Sequence, residues 1–125
     1  MSLAKIPSTP TEVAAAVLEV VETNPDGLDM SAWFSSQGDA IQPGDDVSNT
    51  TMCVAGWAAH AAGWTLVYDD TEGRSYAEQD GVRLYVREAG RLALGLNRAR
   101  AAVLFASDYP AGAALAVLRH IANPP

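Results

Sequence analysis

Apolar residues recur at three- and four-residue spacing along most of this chain, and at period two in one short part. Val13, Val17, Val20 and Val21 form the first stripe and predict a helix running to about Thr23. Thr9-Pro10-Thr11-Glu12 reads as its start: Thr9 caps, Pro10 sits where a missing N–H costs nothing, and Glu12 reaches back. Asn24-Pro25-Asp26-Gly27 stops it, because the residue before a proline avoids the helical region. Asp29 can cap a short turn that sends Met30, Trp33 and Phe34 inward. The most apolar stretch follows, from Asn49 to Trp64, and predicts a buried helix capped by Asn49 or Thr50 and ended by Gly63. Cys53, Trp57, His60 and Trp64 share one face of it, and Gly56 lets another element come close.

Trp64-Thr65-Leu66-Val67-Tyr68 is β-prone, and Val82 to Val86 alternates apolar with polar. The two read as a hairpin over about 65–68 and 82–86, with Val82, Leu84 and Val86 inward and Arg83 and Tyr85 outward. A helix from Glu88 to Gly95 turns Ala89, Leu92 and Ala93 inward. Asn97 caps another, from Arg98 to about Ser107, with Ala101, Leu104 and Phe105 inward. Pro110 opens the last, whose stripe is Leu115, Leu118, Ile121 and Ala122. The expected fold is mainly α: a compact bundle of five to six short helices with one small β-hairpin. It forms one domain over 1–125, with a loose arm at 1–8 and surface loops at 35–49 and 69–81.

Composition sharpens this. Of 125 residues, 49% are hydrophobic and 18% charged, which disfavours disorder. A single cysteine forms no internal disulfide and fits a reducing compartment. No signal-peptide core and no 18-residue apolar run are visible, so a cytoplasmic protein without a membrane span is expected.

The net charge of −7 is uneven. Residues 1–80 carry 13 Asp and Glu against Lys5 and Arg74, a net of −11; residues 81–125 carry Glu88 and Asp108 against six Arg, a net of +4. The halves can complement each other within one fold or across a homodimer, or face charged partners. The overall acidity makes general nucleic-acid binding a poor expectation.

Three pieces in order carry a resemblance. They are Thr50-Thr51-x-Cys53-x-Ala55-Gly56-Trp57-Ala58, the upstream Asp29-Met30-x-x-Trp33, and Ala89-Gly90-Arg91-Leu92-Ala93-Leu94-Gly95-Leu96 followed by Leu104-Phe105. Together they resemble small proteins of actinobacteria and other bacteria, and of the phages of actinobacteria. The resemblance runs from about Val13 to Ile121 and implies a compact, mainly helical domain with a small β-hairpin. It carries over no catalytic residue. Arg98 and Arg100 depart from it, since acidic residues are common there. Phage membership would imply an accessory protein acting on a host component.

Candidate chemistry is sparse. Cys53 and His60 are two helical turns apart, about 10.5 Å along the axis, too far for a thiolate–imidazole pair. Zinc would need Cys53, His60, His120 and an aspartate to converge. Asp45-Asp46-Val47-Ser48 lacks the alternating ligands of a calcium loop. No phosphate loop and no nucleophile elbow is present. No catalytic, metal or cofactor residue is assigned.

Cys53, Gly56, Trp57 and His60 are read as a core motif. Trp64, Arg83, Tyr85, Arg87, Arg91, Arg98 and Arg100 are the candidates for partner binding, with Trp64 expected to be the exposed tryptophan. The leading expectation is a non-enzymatic interaction protein, phage-encoded, that binds and perturbs a host protein. Two alternatives stand beside it. One is an acidic DNA mimic or a helix-turn-helix-like regulator using Arg98 and Arg100. The other is a small-molecule-binding or hydrolytic domain.

Overall fold

A computed structural model describes residues 9–23, 28, 40–41, 52–69, 74–106 and 109–123. The expected arm at 1–8, the turn at 24–27, the short helix at 29–34, the caps Asn49 and Thr50 and all of the loop at 35–49 but two residues lie outside the described residues; those two, Ala40 and Ile41, form a strand paired with 66–67, and Ile41 is buried, so they are not surface loop. Within them the protein is mainly helical, with five helices and a small three-stranded antiparallel sheet extended at one edge by a two-residue strand.

Helix α1 (Pro10–Thr23) starts as its sequence predicts. The Glu12 N–H donates to the Thr9 hydroxyl oxygen at 3.2 Å, and that hydroxyl donates to the Glu12 carboxylate at 3.1 Å. This satisfies an N–H that the first turn leaves without a partner. Val13, Val17 and Val21 are buried with Ala14 and Leu18.

Helix α2 (Val54–Ala61) begins later than its sequence suggests. Leu28 and Met52 form a parallel bridge, and Cys53 is extended at the N-cap, so the chain enters the helix as a strand-like segment. Every residue from Val54 to Ala59 is buried. The helix is therefore apolar all round and enclosed, rather than buried on the single face of Cys53, Trp57, His60 and Trp64. Its end is as expected. Gly63 has φ of 91°, its N–H bonds to the His60 carbonyl, and the Trp64 N–H reaches the Ala59 carbonyl, both at 3.0 Å. That pair of bonds closes the helix and needs the left-handed residue that glycine supplies.

The sheet corrects the hairpin. Strands β1 (Ala40–Ile41), β2 (Thr65–Asp69), β3 (Arg74–Gln79) and β4 (Val82–Tyr85) lie in that order, all antiparallel. The two expected strands exist, but β3 stands between them, inside the stretch expected to be a loop. Asp80 (φ 51°) and Gly81 (φ 82°) make the two-residue turn joining β3 to β4. Register places Ile41, Leu66, Ala77 and Leu84 in one row across the sheet. The first three are buried and Leu84 packs against the core, so this row is the inner face. Val82, expected inward, is exposed at the strand start.

Val86 does not continue β4; it opens helix α3 (Val86–Ala93). From that start Val86, Ala89 and Gly90 face inward, and Leu92 is 53% exposed rather than buried. Gly95 (φ 65°) ends the helix with the same pair of closing bonds seen after α2. Asn97 caps α4 (Arg98–Leu104), its side-chain oxygen accepting from the Arg100 N–H at 2.8 Å. Helix α4 stops at Leu104, short of Ser107, and Ala101, Leu104 and Phe105 are buried as expected. Helix α5 (Ala111–Ala122) follows Pro110, with Ala114 and Leu118 buried and Leu115, Ile121 and Ala122 partly so.

One continuous core joins the elements. Helix α1 packs along α5, and α3 packs on α2. Glu22 and Arg119 meet at 3.1 Å between α1 and α5, so acid from the first part of the chain does meet cation from the last.

Candidate functional site

The proposed core motif behaves as core. Cys53 and Trp57 are 1% and 2% exposed, Gly56 is buried, and His60 is half-buried with its ring edge-on to Trp57 at 6.4 Å. Trp64 departs from its expected role. It is half-buried and packs against the core, because the turn at Gly63 folds it back over α2.

The arginine and tyrosine candidates fall on β4, α3 and α4. On the outer sheet face, Tyr85 stacks on Tyr76 at 5.4 Å, and the Arg83 guanidinium lies 4.6 Å from the Tyr76 ring centre. Arg83 also donates to Glu78 at 2.6 Å across the β3–β4 pair. This cluster covers Tyr76 from within the molecule.

Arg91 is likewise internal. It grips the Glu88 carboxylate one turn earlier and donates to the Leu96 carbonyl at 3.2 Å, tying the end of α3 to the next segment. The hydrogen bond from Arg91 holds Glu88 below the usual carboxylate pKa. Burial opposes that shift, while the charges of Arg91, Arg98 and Arg87 add to it. Arg98 thus has an acidic neighbour that partly offsets its unfavourable place in the first turn of α4. The Glu88 contact in turn raises the Arg91 pKa. Arg87, Arg98 and Arg100 are exposed, and among the described residues no carboxylate forms an ion pair with them.

An open apolar feature lies elsewhere, between α4 and α5. A groove of about 660 Å³ is walled by Leu96, Ala99, Val103 and Leu104 on one side and Val117 and Ile121 on the other. Tyr109, between the helices, also lines it, as does Ala116. Val103 is 57% exposed there, the most open of the large hydrophobic side chains described. Arg100 and His120 are the basic residue types in its lining, one on each helix. Of the seven binding candidates only Arg100 lines it.

The sequence reading gives Val103, Tyr109 and Val117 no role and weighs His120 only as a zinc ligand. The signal was present, however: α4 carries Ala99 and Val103, and α5 carries Ala116 and Val117, beyond what their inward stripes use. Such helices have two apolar faces, and only one is buried.

A second hollow, of about 680 Å³, is polar and lies by the β3–β4 turn, bordered by Thr65, Glu78, Gln79, Asp80 and Arg83. Gln79 there donates to the Ala62 carbonyl at 3.2 Å, fastening the hairpin to the end of α2. No three His, Cys, Asp or Glu side chains converge among the described residues, and no helix among them is long and apolar enough to cross a membrane. Set against known proteins, the chain matches no protein-family model, and no curated protein or solved structure is significantly similar to it.

Proposed function

We propose that the protein is a non-enzymatic interaction module that seats an apolar ridge of a partner protein in the groove between α4 and α5. The exposure of Val103 inside a concave apolar surface carries this reading. Exposed apolar side chains gathered in a groove mark binding surfaces, whereas scattered ones do not. Arg100 and Tyr109 add residue types that anchor interfaces. The resemblance to phage proteins makes a cytoplasmic host protein the expected partner.

The test compares tagged wild type with Val103→Asp and with Leu92→Asp in pull-downs from bacterial lysate. Leu92 is a similarly exposed leucine on α3 that does not line the groove. A partner retained by wild type and Leu92→Asp but lost from Val103→Asp supports the groove. A partner indifferent to Val103→Asp, or no partner at all, counts against it.

The groove volume favours one second reading, an apolar small molecule, since ligand pockets commonly span about 300–1,000 Å³. A single carboxylate on such a ligand would suit Arg100. A rise in melting temperature with medium-chain fatty acids, absent in Val103→Asp, would identify that role.

A further inference from the structure

We propose that the groove between α4 and α5 takes an acidic amphipathic helix of the partner. This rests on the groove being the binding surface and adds the chemistry of what it binds.

The walls decide for a helix. Both are helical, so their interior backbone groups are already bonded within α4 and α5. An extended segment would enter the groove with its own backbone groups unmatched, and leaving those unpaired in an apolar setting is costly. A helix brings its backbone satisfied and offers a ridge of side chains that packs between two others. The seven residues of α4 span about 10.5 Å, and the lining on α5 runs from Ala116 to Ile121, which matches roughly two turns of a partner helix.

The charges decide for acid. Among the described residues the lining contains Arg100 on one wall and His120 on the other, and no Asp or Glu. Three arginines elsewhere are used internally, while Arg87 and Arg98 are, like Arg100, exposed and outside any ion pair among the described residues. Arg83 holds Glu78, Arg91 holds Glu88, and Arg119 holds Glu22. Arg100 forms no such pair among the described residues, in a chain whose net charge is −7. A helix with an aliphatic stripe flanked by glutamates would place carboxylates beside both rims. A second copy of this chain has no such helix to offer among the described residues. The acidic helix α1 buries its valine stripe within its own core.

The test uses three labelled synthetic helices with one leucine stripe, flanked by Glu, Gln or Lys, titrated against full-length protein by fluorescence anisotropy. The Glu peptide is expected to bind at least about tenfold tighter than the Lys peptide at low salt, with the gap narrowing as salt rises. Arg100→Glu should shrink or reverse the gap. That variant is expected to fold, because an acid in the first helical turn suits the dipole, and a thermal melt checks it.

Val103→Asp should weaken all three peptides. Equal binding of the three, still lost with Val103→Asp, overturns the acidic partner while leaving the groove reading intact. Binding indifferent to Val103→Asp, or no binding at all, overturns both. Equal loss of affinity when a central proline breaks the peptide helix is expected, and its absence would overturn the helical part. A dimer in sedimentation that Val103→Asp dissociates would make a second copy the occupant and sink the proposal.

Discussion

Gly90 on α3 lies so close to Ala55 on α2 that a methyl group added to it would sit 2.7 Å from the Ala55 carbonyl oxygen and 2.8 Å from its Cα. The obstructing atoms are backbone, so no side-chain rotation relieves the clash. Gly90→Ala is therefore expected to destabilise the protein by about 1–3 kcal/mol, the usual cost of overfilling a packed core. Urea unfolding reads this as a lower midpoint at unchanged slope. Ala55→Gly added to it should not restore stability. A midpoint equal to wild type would show that the two helices are not held this close.

Asn97 should matter through one hydrogen bond. Its side chain accepts the Arg100 N–H at 2.8 Å, while neighbouring Arg98 and Arg100 disfavour the same helix end. Asn97→Ala is expected to cost about 1 kcal/mol, and Asn97→Asp to cost little or nothing. Thermal melts of the pair decide it. Equal losses for both would mean the cap bond is not the source.

The ion pair of Glu88 and Arg91 predicts a pH effect of definite sign. The folded pKa of Glu88 lies below its unfolded value, chiefly because Arg91 donates to it. The contribution is therefore fully present above the unfolded carboxylate pKa of about 4.3 and is lost as pH falls through the lower folded value. Glu88→Gln should leave a stability profile less steep below about pH 4.3 than wild type. Parallel acid limbs for the two proteins would contradict it.

Cys53 should behave as a sealed thiol. At 1% exposure it can meet a thiol reagent only when α2 opens. Its modification rate in native buffer should follow the unfolded population as urea is raised. Rapid labelling in the absence of denaturant would place Cys53 at the surface.

The parts of this fold that were legible in the chain are those fixed by neighbours in sequence. The Thr9–Glu12 cap, the valine stripe of α1, the Asn97 cap and the glycine stop after α2 each need only a few adjacent residues. What was not legible depends on distant partners or on phase. Strand β3 offers only Tyr76 and Ala77 as apolar residues, and β2 and β4 on either side make it a strand. Asp80-Gly81 was the one local clue to it. Treating Val86 as the end of a strand shifted the phase of α3, which is why Leu92 was expected inside. The start of α2 depends on the bridge of Met52 to Leu28, twenty-four residues earlier. The groove was hidden because an extra apolar stripe on α4 or α5 looks like more core until both helices are in place. Trp33 and the short helix expected around it lie outside the described residues.

The packing of α1 on α5 has a consequence for synthesis. Glu22 and Arg119 are separated by 97 positions, and α1 packs against a helix that is made long after it. Until α5 emerges, a nascent chain carries the apolar stripe of α1 without that cover, while the sheet, paired between neighbours, can already form. Apolar surface exposed in this way during synthesis is the kind that favours aggregation.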